Sequence, residues 1–200
     1  MNNHILDTSK WKEFKLSEWF EIGTGATCQT KDLIAGKTPR ISVKGINNGI
    51  QGYFEDIDSK DYRINENFIS FSFLGTCFYH PYKASLDMKV HSLKPKNYTL
   101  NIFSGLFLVN IFKVSFKGIF ADQISSSDLK QESIKLPMNS NGDIDWQFME
   151  SYIKQSQAKL EKLLKTYRAL LNRGGTHLAF LLLALWIKNA RILFKVLLWK

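Results

Sequence analysis

The chain has 200 residues, 44% of them hydrophobic, with 15 Phe, 7 Tyr and 5 Trp, which excludes a disordered chain and leaves room for one moderate domain and an appendage. A formal charge of +9 points to an acidic partner surface, nucleic acid first and a membrane face second. The charge is uneven: residues 1–142 hold 17 Lys and Arg against 14 Asp and Glu, a net of +3, and residues 143–200 hold 10 against 4, a net of +6.

Residues 8–25, TSKWKEFKLSEWFEIGTG, read as a lead-in and one short helix. Ser17 is its expected cap, Leu16, Trp19, Phe20 and Ile22 its apolar anchors, and Gly23 its stop. In residues 38–54, Pro39, Gly45, Asn47-Asn48-Gly49 and Gly52 punctuate short β-prone pieces, which is turn chemistry between strands. From Phe68 the stretch FISFSFLGTCFYHPY is strand-like up to a His80-Pro81 break. MKVHSLKP follows, then GLFLVNIFKVSFKGIF, a near-continuous apolar run suited to a strand buried on both faces. SIKLP is expected to be the last strand, closed by Pro137. Everything to about residue 140 reads as one mixed, mostly β domain without internal repeats.

Past the Asn141-Gly142 turn the period changes. Asp143 or Asp145 can cap a helix start. Trp146, Met149, Ile153, Ser156, Leu160, Leu163, Tyr167 and Leu170 then recur at alternating spacings of three and four, a heptad seam with one polar member. Glu150 and Lys154, and Glu161 and Lys165, are i,i+4 pairs in the favourable order. A helix over 145–172 would be about 42 Å long. It could pack on its own domain as an ordinary amphipathic helix, but the narrow stripe favours a separate coiled-coil partner. The fold class is therefore α+β: a mostly β domain (1–142), a coiled-coil-forming helix (143–173), and a hydrophobic basic tail (174–200). The tail's uncharged stretch, 174–187, is shorter than the about 20 residues that span a bilayer, so no membrane span is expected. Three readings of it stand: an interfacial basic helix, a second helix buried in an assembly, or out-of-register coding after a frameshift.

Several catalytic and metal motifs fail. AGKTPR at 35–40 has Lys31 where a phosphate loop needs its first glycine, and Pro39 sits where that loop's helix would begin. GTG at 23–25 lacks the third glycine of a dinucleotide fingerprint. Cys77 and His80 have ligand-like spacing, but His4, Cys28 and His91 offer no matching pair; a core cysteine and a turn histidine are the expectation, with no metal and no cofactor. EDIDSKD at 55–61 reads as a loop cluster, not as a magnesium-binding acid set. The chain reads as a binder, not an enzyme. Two cysteines and no charged-then-apolar leader make a cytoplasmic location the expectation.

The ordered pieces WKEFKLSEWFEIGTG (11–25), TPRIS with NNGIQGY (38–53), FLGTCFY (73–79), LKPK (93–96), SSDLKQESIKLP (126–137) and GDIDWQFMESYIK (142–154) resemble the DNA specificity subunits of Type I restriction–modification systems. They are also similar to the related Type IIB specificity subunits. The resemblance spans about residues 11–170. It implies a target-recognition domain that reads one half of a split double-stranded DNA site. It also implies a conserved helix that pairs with another such helix and docks methyltransferase subunits, and through them a restriction subunit. Full-length members carry two domains and two helices; this chain has one of each, which suits a homodimer or pairing with a second specificity half.

On this reading the loops around 31–53 and 83–96 face DNA. Lys31, Lys37, Lys44, Lys83, Lys89, Lys94 and Lys96 would neutralise phosphates, while Arg40, Asn47, Asn48 and Gln51 have the geometry to read base edges. Asn47-Asn48-Gly49 equally fits a bare tight turn. The partner seam would be Trp146, Met149, Ile153, Leu160, Leu163, Tyr167 and Leu170. The competing class is a peripheral membrane or assembly protein working through the basic leucine-rich tail.

Overall fold

The computed structural model describes residues 6–116 and 125–172, with the side chains of Leu170 and Leu171 outside that description; the tail readings for 174–200 fall outside it too. In chain order the elements are β1 (Lys12–Lys15), α1 (Leu16–Trp19), β2 (Phe20–Thr24), β3 (Ala35–Ile41), β4 (Ile50–Phe54), β5 (Ile64–Asn65), β6 (Phe68–Ser72), β7 (Cys77–His80), β8 (Ala84–Leu86), β9 (Val90–Pro95), α2 (Ile102–Ser115), α3 (Ser126–Gln131), β10 (Ser133–Leu136) and α4 (Trp146–Asn172). Single 3₁₀ turns lie at Thr30–Asp32 and Asn47–Gly49.

Aromatic and β-branched residues from Phe68 onward make the central antiparallel sheet, ordered β2-β9-β6-β7. A second sheet, β4-β3-β8-β5, contains a parallel β3–β8 pair. β1 and β10 form a separate antiparallel ribbon that brings the two ends of the head together. Register fixes the ends of the central sheet. Thr24 pairs with His91 and Ser72 with Val90, so the end of β2, the β6–β7 turn and the start of β9 share one end. Phe20 pairs with Pro95 at the other. The mixed α+β class read from the sequence is the observed one, and β9, β10 and the stop at Pro137 fall where expected.

The apolar run that begins at Gly105 is a helix, not a strand, as far as Ser115: it belongs to α2. Asn101 Oδ1 accepts the backbone N–H groups of Phe103 (2.9 Å) and Ser104 (3.1 Å), and Ser104 Oγ accepts the N–H of Asn101 (3.0 Å). That reciprocal cap satisfies the orphan amides of a helix start. The helix lacks amphipathic periodicity because it is packed on several sides, with Phe107, Leu108, Val109 and Phe112 all buried. At Gly105 a Cβ would lie 2.5 Å from the Tyr79 ring, so glycine lets α2 lie directly on β7.

The opening segment also differs. α1 is one turn long, Ser17 lies inside it without capping it, and Gly23 continues into β2. Tertiary pairing overrides local preference here: Phe14 pairs with Ile134, and the N–H of Leu16 donates to the Glu132 carbonyl (2.9 Å). His80 is a core residue of β7 rather than a turn residue. Its Nε2 lies 2.8 Å from Ser70 Oγ and its Nδ1 3.2 Å from the Tyr82 hydroxyl.

The break before α4 is built by its own polar residues. Gly142 adopts φ +89°, the N–H of Asp145 donates to the Pro137 carbonyl (2.8 Å), and Asp145 Oδ1 accepts the N–H of Phe148 (2.8 Å) as the helix cap. The first turns of α4 then enter the head's core, with Met149 fully buried and Ile153 nearly so. Trp146 stacks on Tyr98 at 4.1 Å, and Phe107 meets Tyr152 edge-on at 5.8 Å. Glu150 accepts from the Tyr98 hydroxyl (2.5 Å) and from Lys154 Nζ (3.0 Å), bonds that hold its carboxyl down to about 2. Trp146, Met149 and Ile153, expected on the partner seam, thus face their own domain, because α2 presents a complementary apolar stripe. Beyond Ser156 the helix carries Leu163 (49% exposed) and Leu164 (38%), with Leu160 and Tyr167 half-buried; the side chain of Leu170 lies outside the described residues.

Burial pushes the His80 ring down to about 3 from its ordinary 6.5. The folded form is neutral, so below about pH 6.5 the unfolded chain takes a proton that the fold refuses. Stability is fully present above that pH and declines toward pH 3, by ~1.4 kcal/mol per pH unit. The melting temperature is expected to fall between pH 6.5 and 5, and His80→Gln to flatten that fall in calorimetry.

Candidate nucleic-acid interface

Lys94, Lys96 and the α4 anchor Tyr98 lie at the Pro95 end of β9. At the Val90 end a cleft of about 550 Å³ is bordered, among the described residues, by Thr27, Lys60, Arg63, Phe73, Met88 and Lys89, with Ser125 and Ser126. Arg63 Nη1 donates to the Thr24 carbonyl (3.1 Å) and to Thr24 Oγ1 (2.6 Å), which pins the guanidinium beside the end of β2. Lys89 lies over the Phe73 ring at 5.0 Å, a cation–π contact that orients its ammonium. Asp61, the acid in the cleft wall, is engaged by Thr27 Oγ1 (3.0 Å). Among the described residues, three cations against one carboxylate leave the cleft net positive, and such a surface attracts phosphate.

The base-reading set divides. Arg40 is completely buried and is removed from it: as part of the interior strand β3, it donates from Nη2 to the Cys28 carbonyl (2.6 Å) and lies 3.9 Å from Asp87 Oδ2. Its work is internal, tying the loop after β2 to the turn between β8 and β9. Asn47 (φ 50°), Asn48 (φ 49°) and Gly49 (φ 75°) form a left-handed turn closed by the Ser42 N–H donating to the Gly49 carbonyl (2.9 Å), as the tight-turn reading has it. Asn47 is exposed and Asn48 half-buried. Gln51 is exposed, and its Oε1 accepts from Thr30 Oγ1 (3.2 Å), which joins the Lys31 turn to β4.

The lysines are scattered. Lys31, Lys37, Lys44, Lys83, Lys89 and Lys96 are exposed and Lys94 is half-buried. Lys83 is bonded to the Asp56 carboxylate, which raises the lysine and lowers the acid. Lys96 donates to the Ser17 carbonyl (2.8 Å), and with Lys94 it borders a separate hollow at the far end of β9. Only Lys89, with Lys44 one loop away, sits by the cleft. Lys60 and Arg63 escaped sequence reasoning. They flank Asp61 at the end of the acidic cluster, and reading that cluster as a mere loop hid them; a basic pair beside a short strand was the available signal. Among the described residues no group of three His, Cys, Asp or Glu side chains could hold a metal ion.

A β-rich head with a cationic cleft, continued by a helix anchored at one end and, among the described residues, uncovered at the other, is the form of a binding module. Sequence comparison places it: the chain belongs to the Type I restriction modification DNA specificity domain family, whose model matches residues 8–166. It is 32% identical over 159 residues to the specificity subunit S.BcgI of a Type II restriction enzyme from Heyndrickxia coagulans, covering 78% of this chain and 46% of that protein. Its fold is similar to the HsdS subunit from Thermoanaerobacter tengcongensis (TM-score 0.55, 15% identity, 90% of this chain and 44% of that one). It is also similar to the Type I restriction–modification S subunit from M. genitalium (TM-score 0.51, 18% identity, 94% and 46%). The chain thus spans about half the length of these relatives.

The cleft depends on a close backbone approach at its floor. A Cβ on Gly25 would lie 1.7 Å from the Asp87 carbonyl oxygen. Gly25→Ala is expected to cost about 2–3 kcal/mol in urea denaturation as the β8–β9 turn is pushed away. A loss under about 0.5 kcal/mol would contradict that approach.

Proposed function

We propose that this chain is a sequence-reading component of a restriction–modification system, its head binding one half of a split double-stranded DNA site. The observation that carries the proposal is the cleft formed by Lys60, Arg63 and Lys89 at the end of the head opposite the α4 anchor. Membership of the specificity family supports it. Cationic side chains there bind phosphate and set orientation, while adjacent loop residues choose bases. The chain recognises and does not catalyse; methyltransferase subunits, and a restriction subunit beyond them, supply the chemistry.

The outer half of α4 is the docking element. Leu160, Leu163, Leu164 and Tyr167 keep an apolar stripe on a helix whose other faces are polar. Such a stripe is stable in water only marginally until a second helix covers it. A second copy of the chain, or another specificity half, completes that pair and sets the distance between two half-sites. No helix among the described residues is long and apolar enough to cross a membrane.

Lys60→Ala, Arg63→Ala and Lys89→Ala together are expected to flatten the slope of log K against log salt for a random-sequence duplex by about 2–3, at ~0.9 for each phosphate no longer neutralised. An unchanged slope contradicts phosphate binding in the cleft. Leu160→Glu with Leu163→Glu should abolish self-association in sedimentation while moving the head's stability by no more than about 0.5 kcal/mol. Met149→Glu, by contrast, should cost more than about 3 kcal/mol, since it buries an unpaired charge.

A further inference from the structure

Three turns meet beside the cleft, and each carries a large apolar side chain into water: Ile46 (76% exposed), Leu74 (58%) and Met88 (53%). Their adjacency is fixed. The N–H of Phe73 donates to the Lys89 carbonyl (3.1 Å), which joins the β6–β7 turn to the β8–β9 turn. The Cβ position of Gly45 is 3.8 Å from Thr76 Cγ2, which brings the loop after β3 against the same β6–β7 turn.

The turns are also stiff. Gly75, at φ +80°, donates its N–H to the Ser72 carbonyl (2.8 Å), Val90 to Asp87 (3.0 Å), and Gly49 to Ile46 (3.0 Å). Turn tips ordinarily carry Gly, Asn, Asp or Ser, and none of these three apolar side chains belongs to either core cluster. Cations surround them: Lys44 precedes Ile46 by two residues, Lys89 follows Met88, and Lys60 and Arg63 line the cleft that Met88 and Phe73 share. Of the acids nearby among the described residues, Asp61 accepts from Thr27 Oγ1 (3.0 Å), and Asp87 is held from within by the Lys89 N–H (3.1 Å) and Arg40 (3.9 Å).

We propose that Ile46, Leu74 and Met88 form an apolar tip that reads thymine C5-methyl groups in the major groove, with the surrounding cations on the flanking phosphates. This rests on the DNA-reading function proposed above and names its base-specific part. An apolar surface ringed by positive charge fits a duplex groove better than an apolar protein face. The C5-methyl of thymine is the methyl group that the major-groove base edges offer to an apolar side chain. β6 and β9 are neighbouring strands, about 5 Å apart, so their tips fit together within a groove about 12 Å wide.

The test uses the full chain and a duplex selected by it from a random-sequence library. Affinity is measured for that duplex and for the same duplex with every thymine replaced by deoxyuridine, which deletes only methyl groups. The deoxyuridine duplex is expected to bind at least about fourfold more weakly, the worth of one methyl taken from water at ~0.8 kcal/mol. The variant Ile46→Ser, Leu74→Ser, Met88→Gln, checked for folding by circular dichroism, should bind both duplexes alike. Equal affinity of the unaltered chain for the two duplexes, or a selected sequence without thymine, overturns the methyl reading and leaves DNA binding intact. Failure to bind any duplex overturns both.

Discussion

The structure depends on the docking of the first turns of α4 into the head. Trp146 on Tyr98, Met149 and Ile153 in the core, and Glu150 between Tyr98 and Lys154 fix the helix before it leaves the domain. A stalk joined through a flexible linker could hold a partner but could not hold a distance. Because the first turns are core, the direction of the rest of α4 is rigidly coupled to the sheet, and a long helix transmits that direction over several nanometres. The polar turn between Pro137 and Asp145 makes this possible, since its backbone hydrogen bonds close the loop and aim Trp146 at Tyr98.

At the other end of the sheet the same economy operates through buried polar groups. Arg40 holds the loop after β2 and the β8–β9 turn from beneath, and Gly25 lets the two backbones touch. The turns that border the cleft are thereby set by the interior of the head. Preorganised loops lose less freedom on binding than mobile ones, which is what sequence discrimination requires. The proposed reading surface and the anchor of α4 sit at opposite ends of the central sheet.

Much of the fold was legible in the sequence because its signals were local. The β-prone stretch FISFSFLGTCFY, the stop at Pro137, the Asn141-Gly142 turn and a cap at one of the two candidate aspartates, Asp145, all act within a few residues, and all appear in the structure. α2 was not legible from periodicity, since a helix packed on several sides has none; the Asn101–Ser104 cap was the signal that could have found it. The three-and-four spacing is helical as read, but spacing cannot say that Met149 is buried in the head while Leu163 is half exposed. Arg40 failed as a surface candidate because burial is set by the strands on both sides of β3, and β8, where Arg40 pairs with Ser85, lies far along the chain. Lys60 and Arg63 show in the sequence as a basic pair, but that they line one cleft with Lys89 is visible only in three dimensions.

The most direct test of this head-and-stalk division is residue-resolved hydrogen exchange along α4. In dilute solution, amides around Met149–Ile153 should exchange only through global unfolding, while those around Leu160–Arg168 exchange orders of magnitude faster and slow down as chain concentration rises. Uniform protection along the whole helix at every concentration would contradict the account, because the stalk would then be covered by its own head and have nothing left to offer a partner.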